Sequence, residues 1–558
     1  MRGCDIMHIV IFSTVRVFPK LAFSTLLLLL VASAQAQLTV TIGQNFQSST
    51  INSAGSIPAD ANGAIGPHHY IEFINGTVAV YNRTNAVRVQ RKTNVKFWAD
   101  AGVLVSSDST TTDPRVIYDP ASQRWFATQV DASTAVADPT TQANDFLVAV
   151  STTDNPAGTW HGFSFQSDPD TGAFADFPTM GIDSDAVYIS GDFFQDGESN
   201  PIGSGLVSIP KADLLASTPT IDNRTWFGIS DYTVHGQVLQ PAICVDGSTH
   251  GNIISLSDIG STSDPISNLV AFAVQNATTA TATLSPVSFL DVAPFSIPDN
   301  ADLGEPLLTP TQPDGTHALM ANDARFAGCV RAVNGVLYAV HSTEYNGKIA
   351  IRWYRINATT QTLIESGTIA DPNLDLFFPS IAVNSSGVVV ICCNGCSTST
   401  YISSFAIAGL TRNGVTSFQS PVLLASGTIS YHDDFEQLAD ILEIPPLSRW
   451  GDYSATSPDP NDPNRFWTIQ MIPIDVDVWA TQVTEVIVSA PPQLSVALSN
   501  NNAVVSWPAA ATGFALQSTS NVGATNWSTV TQNRSTNNGT IFYTTPLGSV
   551  PAFFRLKL

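Results

Sequence analysis

The feature that most constrains this chain is a short hairpin pattern that occurs twice, roughly 200 residues apart. Phe177-Pro-Thr-Met-Gly-Ile-Asp-Ser-Asp-Ala-Val-Tyr-Ile and Phe378-Pro-Ser-Ile-Ala-Val-Asn-Ser-Ser-Gly-Val-Val-Val each give an apolar strand, an Asx turn and a second apolar strand. So small a unit cannot bury both faces of its sheet alone, so the copies must pack on one another. Because no helical segment separates the strands, the repetition favours small sheets arranged around an axis.

Five weaker copies bring the number of repeats to seven. The seven repeats begin near Gly63, Arg115, Phe177, Pro241, Phe326, Phe378 and Arg449. The pattern therefore predicts an all-β chain with a seven-bladed β-propeller at residues 37–488. Six or eight blades, or an array of β-sandwiches, would also fit. We expect residues 38–42 to supply a strand that closes the ring against the last blade.

The sequence changes in character near residue 489. Ala490-Pro-Pro-Gln is typical of a linker. After it, short alternating strands follow at about ten-residue spacing, as in Leu494-Ser-Val-Ala-Leu and Ala503-Val-Val-Ser-Trp. These strands predict a small immunoglobulin- or fibronectin-like sandwich at residues 489–558.

The N-terminus has the pattern of a secretory signal peptide. Residues 21–33 are apolar and follow the basic side chains of Arg2, Arg16 and Lys20. Ala34-Gln-Ala then supplies the small residues that flank a cleavage site, so residues 1–36 are expected to be removed. No later segment is apolar enough to cross a bilayer, so we expect no membrane span after cleavage.

Charge and cysteine content narrow the classes of partner. Asp and Glu number 46 against 23 Lys and Arg, giving a net charge of −23, which argues against nucleic-acid binding. Such a charge suits solubility outside the cell and is compatible with cation binding. Cys393 and Cys396 favour a local disulfide over a metal site, although the spacing alone leaves their pairing open. The oligomeric state is likewise left open.

Three arginines stand where innermost strands are expected to begin: Arg115, Arg325 and Arg449. These positions in a propeller surround one mouth of the central channel, where converging guanidiniums would bind a carboxylate, sulfate or phosphate. Alternatively, each arginine pairs with a neighbouring aspartate and ties one blade to the next. The pairs that the sequence permits are Asp113 with Arg115, Asp323 with Arg325, and Asp452 with Arg449.

Several motifs resemble those of secreted bacterial β-propeller proteins, most of them without an assigned activity. They are Ala59-Asp-Ala-Asn-Gly-Ala-Ile-Gly-Pro-His-His-Tyr, Ser151-Thr-Thr-Asp-Asn-Pro-Ala-Gly-Thr-Trp and Arg449-Trp-Gly-Asp-Tyr-Ser. The C-terminal module, with Ser506-Trp-Pro and Phe553-Phe-Arg-Leu, resembles one that ends many exported proteins of Verrucomicrobia-type bacteria. The resemblance implies secretion or a cell-surface location in a Gram-negative-type bacterium.

The arginines also resemble the triad with which sialidases, themselves propellers, bind a substrate carboxylate. By residue type, Asp113 or Asp60 would be the acid, with Tyr453 and Glu436 as the nucleophile pair. The chain departs from the sialidase Asp-box. Asp154 lies three residues after Ser151 rather than two, and the motif occurs once.

Aspartates also recur where strands are expected to begin, and converging carboxylates could bind Ca²⁺, although no cofactor is required. The candidate ligands are Asp60, Asp113, Asp176, Asp323 and Asp452. We therefore expect a secreted or surface module that binds a glycan or another surface protein without catalysis. The alternative function is a sialidase-like glycoside hydrolase that acts on an acidic sugar.

Overall fold

Strands dominate the described part of the chain. The computed structural model describes residues 5–8 and 38–557, apart from 196–200, 258–264, 299–307, 317–318, 434–447, 491, 510, 512, 522, 524 and 549–551. The helices within these ranges are short: Ile51–Ala54, Asn94–Ala101, Lys211–Leu214, Tyr232–His235 and the 3-10 turn Pro139–Thr141. The predicted all-β class is therefore confirmed. None of these helices is long and apolar enough to span a membrane.

The chain divides into two compact units, Val40–Val488 and a second unit formed by Met1–Thr39 with Ser489–Leu558. Among its described residues, the larger unit contains seven groups of antiparallel strands with at least four strands each, which we call sheets 1 to 7. Parallel pairing between their first strands joins sheets 3, 4 and 5 into one continuous 13-stranded sheet. Sheet 1 consists of Asn62–Ile65, His69–Ile74, Thr77–Asn82 and Arg88–Thr93; sheet 2 of Ser109–Asp119, Arg124–Ser133, Asp145–Ser151 and Trp160–Gln166; sheet 3 of Phe174–Ile182, Ala186–Phe194, Gly203–Pro210 and Thr225–Ser230.

The other four sheets repeat this order. Sheet 4 consists of Gln237–Ile243, Asn252–Leu256, Ile266–Gln275, Thr283–Leu284 and Ser288–Phe295; sheet 5 of Val330–Val333, Val336–Tyr345, Lys348–Asn357 and Thr362–Ile369; sheet 6 of Asp375–Val383, Val388–Ser397, Thr400–Arg412, Val415–Phe418 and Val422–Ala425; sheet 7 of Ala455–Pro458, Arg465–Asp475, Val478–Ser489 and Thr39–Thr50.

The first strands of the seven sheets form a closed circuit. Each packs against the first strand of the next sheet, and Ala455–Pro458 of sheet 7 packs against Asn62–Ile65 of sheet 1. Parallel pairing joins Ile182 to Ile243 and Ala242 to Val330, so the first strands of sheets 3, 4 and 5 run in the same direction. The strands that begin the sheets therefore surround a common axis.

The ring is closed by residues from both ends of the unit. Thr39–Thr50 lies beside Val478–Ser489 as the outer strand of sheet 7. The backbone N–H of Ser49 donates to Thr481 Oγ1 at 3.0 Å. The buried carboxylate of Glu72 in sheet 1 accepts hydrogen bonds from the hydroxyls of Ser49 and Thr481. Opening the ring would remove these two donors from the buried side chain of Glu72, which is energetically costly.

Apolar side chains fill the space between neighbouring sheets. One cluster joins sheets 1 and 2 and includes Phe73, Val80 and Trp125. A second joins sheets 2 and 3 and includes Phe126 and Ile189. Each fully buried side chain of this size contributes about 1.5–3 kcal/mol relative to exposure, so contact between sheets is the main stabilising term.

A left-handed residue lies within or shortly before most of the first strands. The positive φ angles are 49° at Asp60, 59° at Asp113, 49° at Phe177, 52° at Val238, 48° at Phe378 and 133° at Gly451. In sheets 2, 3, 4 and 6 the strand pairing shifts register at the same place. Non-glycine residues rarely adopt this conformation, which costs about 1–2 kcal/mol each. The Phe-Pro that began two sequence repeats therefore marks a backbone bulge at the axis.

The smaller unit contains two four-stranded sheets. One consists of Ser495–Ser499, Asn502–Pro508, Thr540–Pro546 and Arg534–Asn537; the other of Asp5–His8, Phe553–Lys557, Ala515–Thr519 and Ser528–Thr529. Val505 and Trp507 of the first share a core with Leu516, Phe554 and Leu556 of the second. Asp5–His8 falls within the predicted signal peptide, whose apolar residues 21–33 lie outside the described residues.

The favoured local disulfide is not formed. Cys393 and Cys396 are buried and free on the strand Val388–Ser397. Residues three apart on a strand project towards opposite faces, which separates the two sulfur atoms.

Candidate functional site

Charged and aromatic residues converge where the first strands begin. We call this group the axial cluster. Its members are Asp60, Asp113, Arg115, Asp176, Phe177, Asp323, Arg325, Arg449, Asp452 and Tyr453. Nine of the ten sequence-based site candidates are among them. The tenth, Glu436, lies outside the described residues.

Arg115 is the most enclosed of the three arginines, with 2% of its surface exposed. Its guanidinium lies 3.4 Å from the ring centroid of Tyr453 and 5.1 Å from that of Phe177. Nε donates to the carbonyl of Pro178 at 2.8 Å, and Nη1 donates to the carbonyl of Ala327 at 3.1 Å. Nη2 is buried and has no hydrogen-bond partner among the described residues. Arg115 thus connects sheets 2, 3 and 7 from the inside and presents almost no surface to an outside anion.

Arg325 and Arg449 are engaged by neighbouring carboxylates. Nε and Nη2 of Arg325 donate to the two oxygens of Asp323 at 2.9 and 2.7 Å, a bidentate pair. Nη2 of Arg449 lies 3.2 Å from Asp452 Oδ2. The side chains of Arg325 and Arg449 remain 21% and 31% exposed. The alternative in which each arginine pairs with a neighbouring aspartate therefore holds for Arg325 and Arg449 but not for Arg115.

Asp60 is almost fully buried between sheets 1 and 7. Its carboxyl accepts from Asn75 Nδ2 at 2.8 Å and from the backbone N–H of Asp452 at 3.0 Å. Burial, followed by the charges of Asp452 and Asp113, raises the pKa of Asp60 well above its usual range.

Asp113 occupies the corresponding place in sheet 2. It accepts from Thr112 Oγ1 at 2.8 Å and from the backbone N–H of Phe177 at 3.1 Å. Burial and the charge of Asp452 raise the pKa of Asp113, and a side-chain hydrogen bond joins it to Asp60. Two hydrogen-bonded carboxyls with raised pKa values share a proton more readily than they ionise together.

Asp176 is half-buried, as are Asp323 and Asp452. Burial, with the charges of Asp113 and Asp452, raises its pKa to about 7. Asp176 therefore changes its protonation state near neutral pH. Such a group can supply a proton to a ligand, or can simply hold one for structural reasons.

The tyrosine proposed as a nucleophile is not placed for that role. Tyr453 is 3% exposed, and burial raises its pKa well above the usual value. Its hydroxyl donates to the carbonyl of Pro114 at 3.1 Å rather than to a carboxylate. Its ring instead supports the guanidinium of Arg115.

Among the described residues, no three of the five aspartates predicted as calcium ligands bring their oxygen atoms within 4.8 Å of one another. One group of three described residues does bring its possible ligand atoms within 4.8 Å of one another. It consists of Asp183, Asp185 and His250 and lies outside the axial cluster. There Asp183 already accepts hydrogen bonds from Tyr188 and from the backbone of Gly251. Calcium binding stays a prediction.

Sequence reasoning missed the residues that position the cluster. Asn75 donates to Asp60 and accepts the backbone N–H of Asp113, and so connects sheets 1 and 2. Asn322 donates to Asp452 at 3.2 Å. Both asparagines lie in loops, where an Asn-rich sequence offers no signal that separates them from ordinary turn residues.

No family model and no curated protein matches this chain. Solved structures similar to it include a mutant sialidase of Trypanosoma rangeli, with 12% identity and a TM-score of 0.28 over 86% of this chain and 57% of that one. An exo-β-1,3-galactanase from Phanerochaete chrysosporium has 11% identity and a TM-score of 0.29, over 77% and 96%. A quinohemoprotein alcohol dehydrogenase from Comamonas testosteroni has 8% identity and a TM-score of 0.38, over 82% and 78%. Similarity at this level assigns no activity to the chain.

Proposed function

We propose that Val40–Val488 is a seven-bladed β-propeller and that Ser489–Leu558 belongs to an immunoglobulin-like sandwich. The protein acts outside the cell or on its surface, where it binds a neutral glycan at the axial cluster without catalysing a reaction. The closed circuit of seven first strands supports the fold. The apolar run at residues 21–33 and its Ala34-Gln-Ala ending support the location.

The observation that carries the binding proposal is the state of the two exposed arginines. Asp323 holds Arg325, and Asp452 holds Arg449, so donors and acceptors stand side by side in fixed positions. Adjacent guanidinium and carboxylate groups match the hydroxyls of a sugar, which donate and accept in the same way. Because each guanidinium is already neutralised and Asp176 lies nearby, the cluster disfavours an acidic sugar.

A second candidate function is glycoside hydrolysis, and Asp176 is the observation that favours it. A half-buried carboxyl with a pKa of about 7 can serve as a general acid. This differs from the sialidase-like arrangement, because it uses neither the buried Tyr453 nor an arginine grip.

The experiment compares glycan binding with hydrolysis on the same preparation. We expect the wild-type protein to bind members of a neutral glycan array and the double variant Arg449→Gln/Asp452→Asn to lose that binding at least about tenfold. Arg88→Gln, on an exposed outer strand of sheet 1, is the matched control. Binding that survives the double variant would remove the axial cluster from the proposal.

Fluorogenic neutral and acidic glycosides test the second candidate. We expect no turnover. Turnover that Asp176→Asn abolishes would establish the hydrolase instead. Repeating the binding assay with a chelator tests calcium, since a calcium-dependent site would lose affinity.

A further inference from the structure

A cavity separate from the axial cluster lies between the outer strands of sheets 2 and 3, far along each sheet from that cluster. Its volume is about 290 Å³. We call it the rim pocket, lined in the main by Phe165, Gln166, Val207, Asp222, Arg224 and Trp226. This is the lower end of the range of about 300–1,000 Å³ typical of small-molecule sites, which suits a single ring better than a chain.

Trp226 is held in a defined position in this pocket. Its Nε1 donates to Asp170 Oδ2 at 2.9 Å, and its ring packs 5.6 Å from that of Phe193. Gly205 lies beneath the ring, where a Cβ atom would stand 2.5 Å from Trp226 Cη2. Glycine at 205 therefore allows the indole to lie directly against the strand Gly203–Pro210. An aromatic ring fixed in this way is a platform for the C–H face of a ligand.

Polar groups surround this platform. The guanidinium of Arg224 lies 4.9 Å from the ring of Phe165, and its Nη1 donates to the carbonyl of Ile221 at 3.2 Å. Among the described residues no carboxylate forms an ion pair with Arg224, so further N–H donors remain for a ligand. Asp222 and Gln166, both exposed, add acceptors and an amide on the same cavity.

We propose that the rim pocket binds one neutral hexopyranose residue. The sugar's apolar face would contact Trp226, while its hydroxyls would accept from Arg224 and donate to Asp222. A carboxylated or sulfated sugar is disfavoured, because Asp222 in the lining and Asp170 on the indole N–H of Trp226 place two carboxyl groups at a pocket that holds one guanidinium. The site does not depend on the axial cluster, since it uses the outer strands of two sheets rather than the first strands.

Saturation-transfer NMR with single sugars tests the pocket directly. The probes are the methyl glycosides of glucose, galactose, mannose and N-acetylglucosamine, with glucuronic acid as the acidic comparison, each at millimolar concentration. We expect saturation of the ring C–H protons of at least one neutral sugar and none for glucuronic acid. No signal for any neutral sugar, or a stronger signal for glucuronic acid, would overturn the proposal.

Variants then locate the signal. Arg224→Gln, which changes an exposed side chain, and Trp226→Leu should each weaken binding at least about tenfold, with Arg88→Gln as the control. An unchanged signal in Arg224→Gln would contradict the assignment even if Trp226→Leu fails to fold. The variant Asp452→Asn separates the two proposals. A signal lost there but kept in Arg224→Gln belongs to the axial cluster, and the rim pocket would then be wrong.

Discussion

The non-glycine left-handed residues at the first strands share one backbone conformation but divide into two chemical groups. Phe177, Val238 and Phe378 are buried apolar side chains, whereas Asp60 and Asp113 are buried carboxyls. All five have positive φ angles between 48° and 59°. The same backbone conformation therefore accepts side chains that differ from sheet to sheet.

The two groups are also connected. Phe177 lies against the guanidiniums of both Arg115 and Arg325, and its backbone N–H donates to Asp113. The aromatic ring of this left-handed residue thus stabilises guanidinium groups that come from outside its own sheet. The comparison teaches that the charged positions cannot be understood sheet by sheet, because each is completed by its neighbour.

Removing the buried guanidinium should have the largest effect on stability. Arg115→Met keeps much of the volume but removes two hydrogen bonds to carbonyls and the contact with Tyr453. We expect the free energy of unfolding to fall by about 2–4 kcal/mol, measured by urea denaturation. Arg88→Met, exposed on sheet 1, should change it by less than about 0.5 kcal/mol. Equal stability of Arg115→Met and wild type would show that Arg115 serves a ligand rather than the fold.

Replacing the half-buried carboxyl of Asp176 should change how stability depends on pH. The folded pKa of Asp176 is about 7, above its unfolded value of about 4. Its stabilising contribution is therefore complete below about pH 4 and is lost as the pH rises through about 7. The free energy of unfolding of Asp176→Asn should exceed that of wild type by roughly 1–2 kcal/mol at pH 8 and by little at pH 4.5. This is less than the roughly 4 kcal/mol of the full pKa shift, because solvent screens a half-buried carboxyl.

Urea unfolding of both proteins at the two pH values measures this difference, with the exposed Asp222→Asn as control. A difference between Asp176→Asn and wild type that is the same at both pH values would show that burial does not govern Asp176.

The repeated apolar strands made the all-β class predictable, because apolar runs and short turns are local signals. The sequence also singles out Arg115, Arg325 and Arg449, because each is expected at the entry to an innermost strand. In the structure Arg115 lies within Ser109–Asp119, whereas Arg325 and Arg449 precede the first strands of sheets 5 and 7. The partners of Arg115 were not predictable. They are the carbonyls of Pro178 and Ala327, from sheets that sequence spacing does not bring together.

The same limit applies to the rim pocket and to the bulges. Trp226 and Arg224 lie in a segment without repeat character. Their pocket forms because sheet 2 contributes Phe165 and because Gly205 of sheet 3 leaves room for the indole of Trp226. Positive φ at Phe177 and Phe378 runs against side-chain preference, so local propensity cannot reveal it. These features depend on packing between sheets, which the sequence does not state.

The strain in the shared bulge can be measured at Val238, a β-branched residue at a φ of 52°. In an ordinary strand, a protein with alanine has a free energy of unfolding about 0.5–1 kcal/mol higher than the same protein with glycine. At position 238 we expect the order to reverse, so that Val238→Gly unfolds at higher urea than Val238→Ala by a similar amount. Val340, buried within the strand Val336–Tyr345, is the matched site where the ordinary order should hold. The same order at both sites would mean that the bulge stores no strain.

The smallest effect is expected at Arg449, the exposed counterpart of Arg115. Arg115 lies within the first strand of sheet 2 and Arg449 shortly before that of sheet 7. The side chain of Arg449 is 31% exposed and pairs with Asp452 across 3.2 Å. Water and salt screen such a pair, so Arg449→Gln should lower the free energy of unfolding by about 0.2–1 kcal/mol. That difference should shrink towards zero in 1 M NaCl, where the Debye length is about 3 Å, whereas the loss in Arg115→Met should persist. Equal salt sensitivity of the two variants would mean that burial does not separate these positions, and the axial cluster would then act as one solvated charge network.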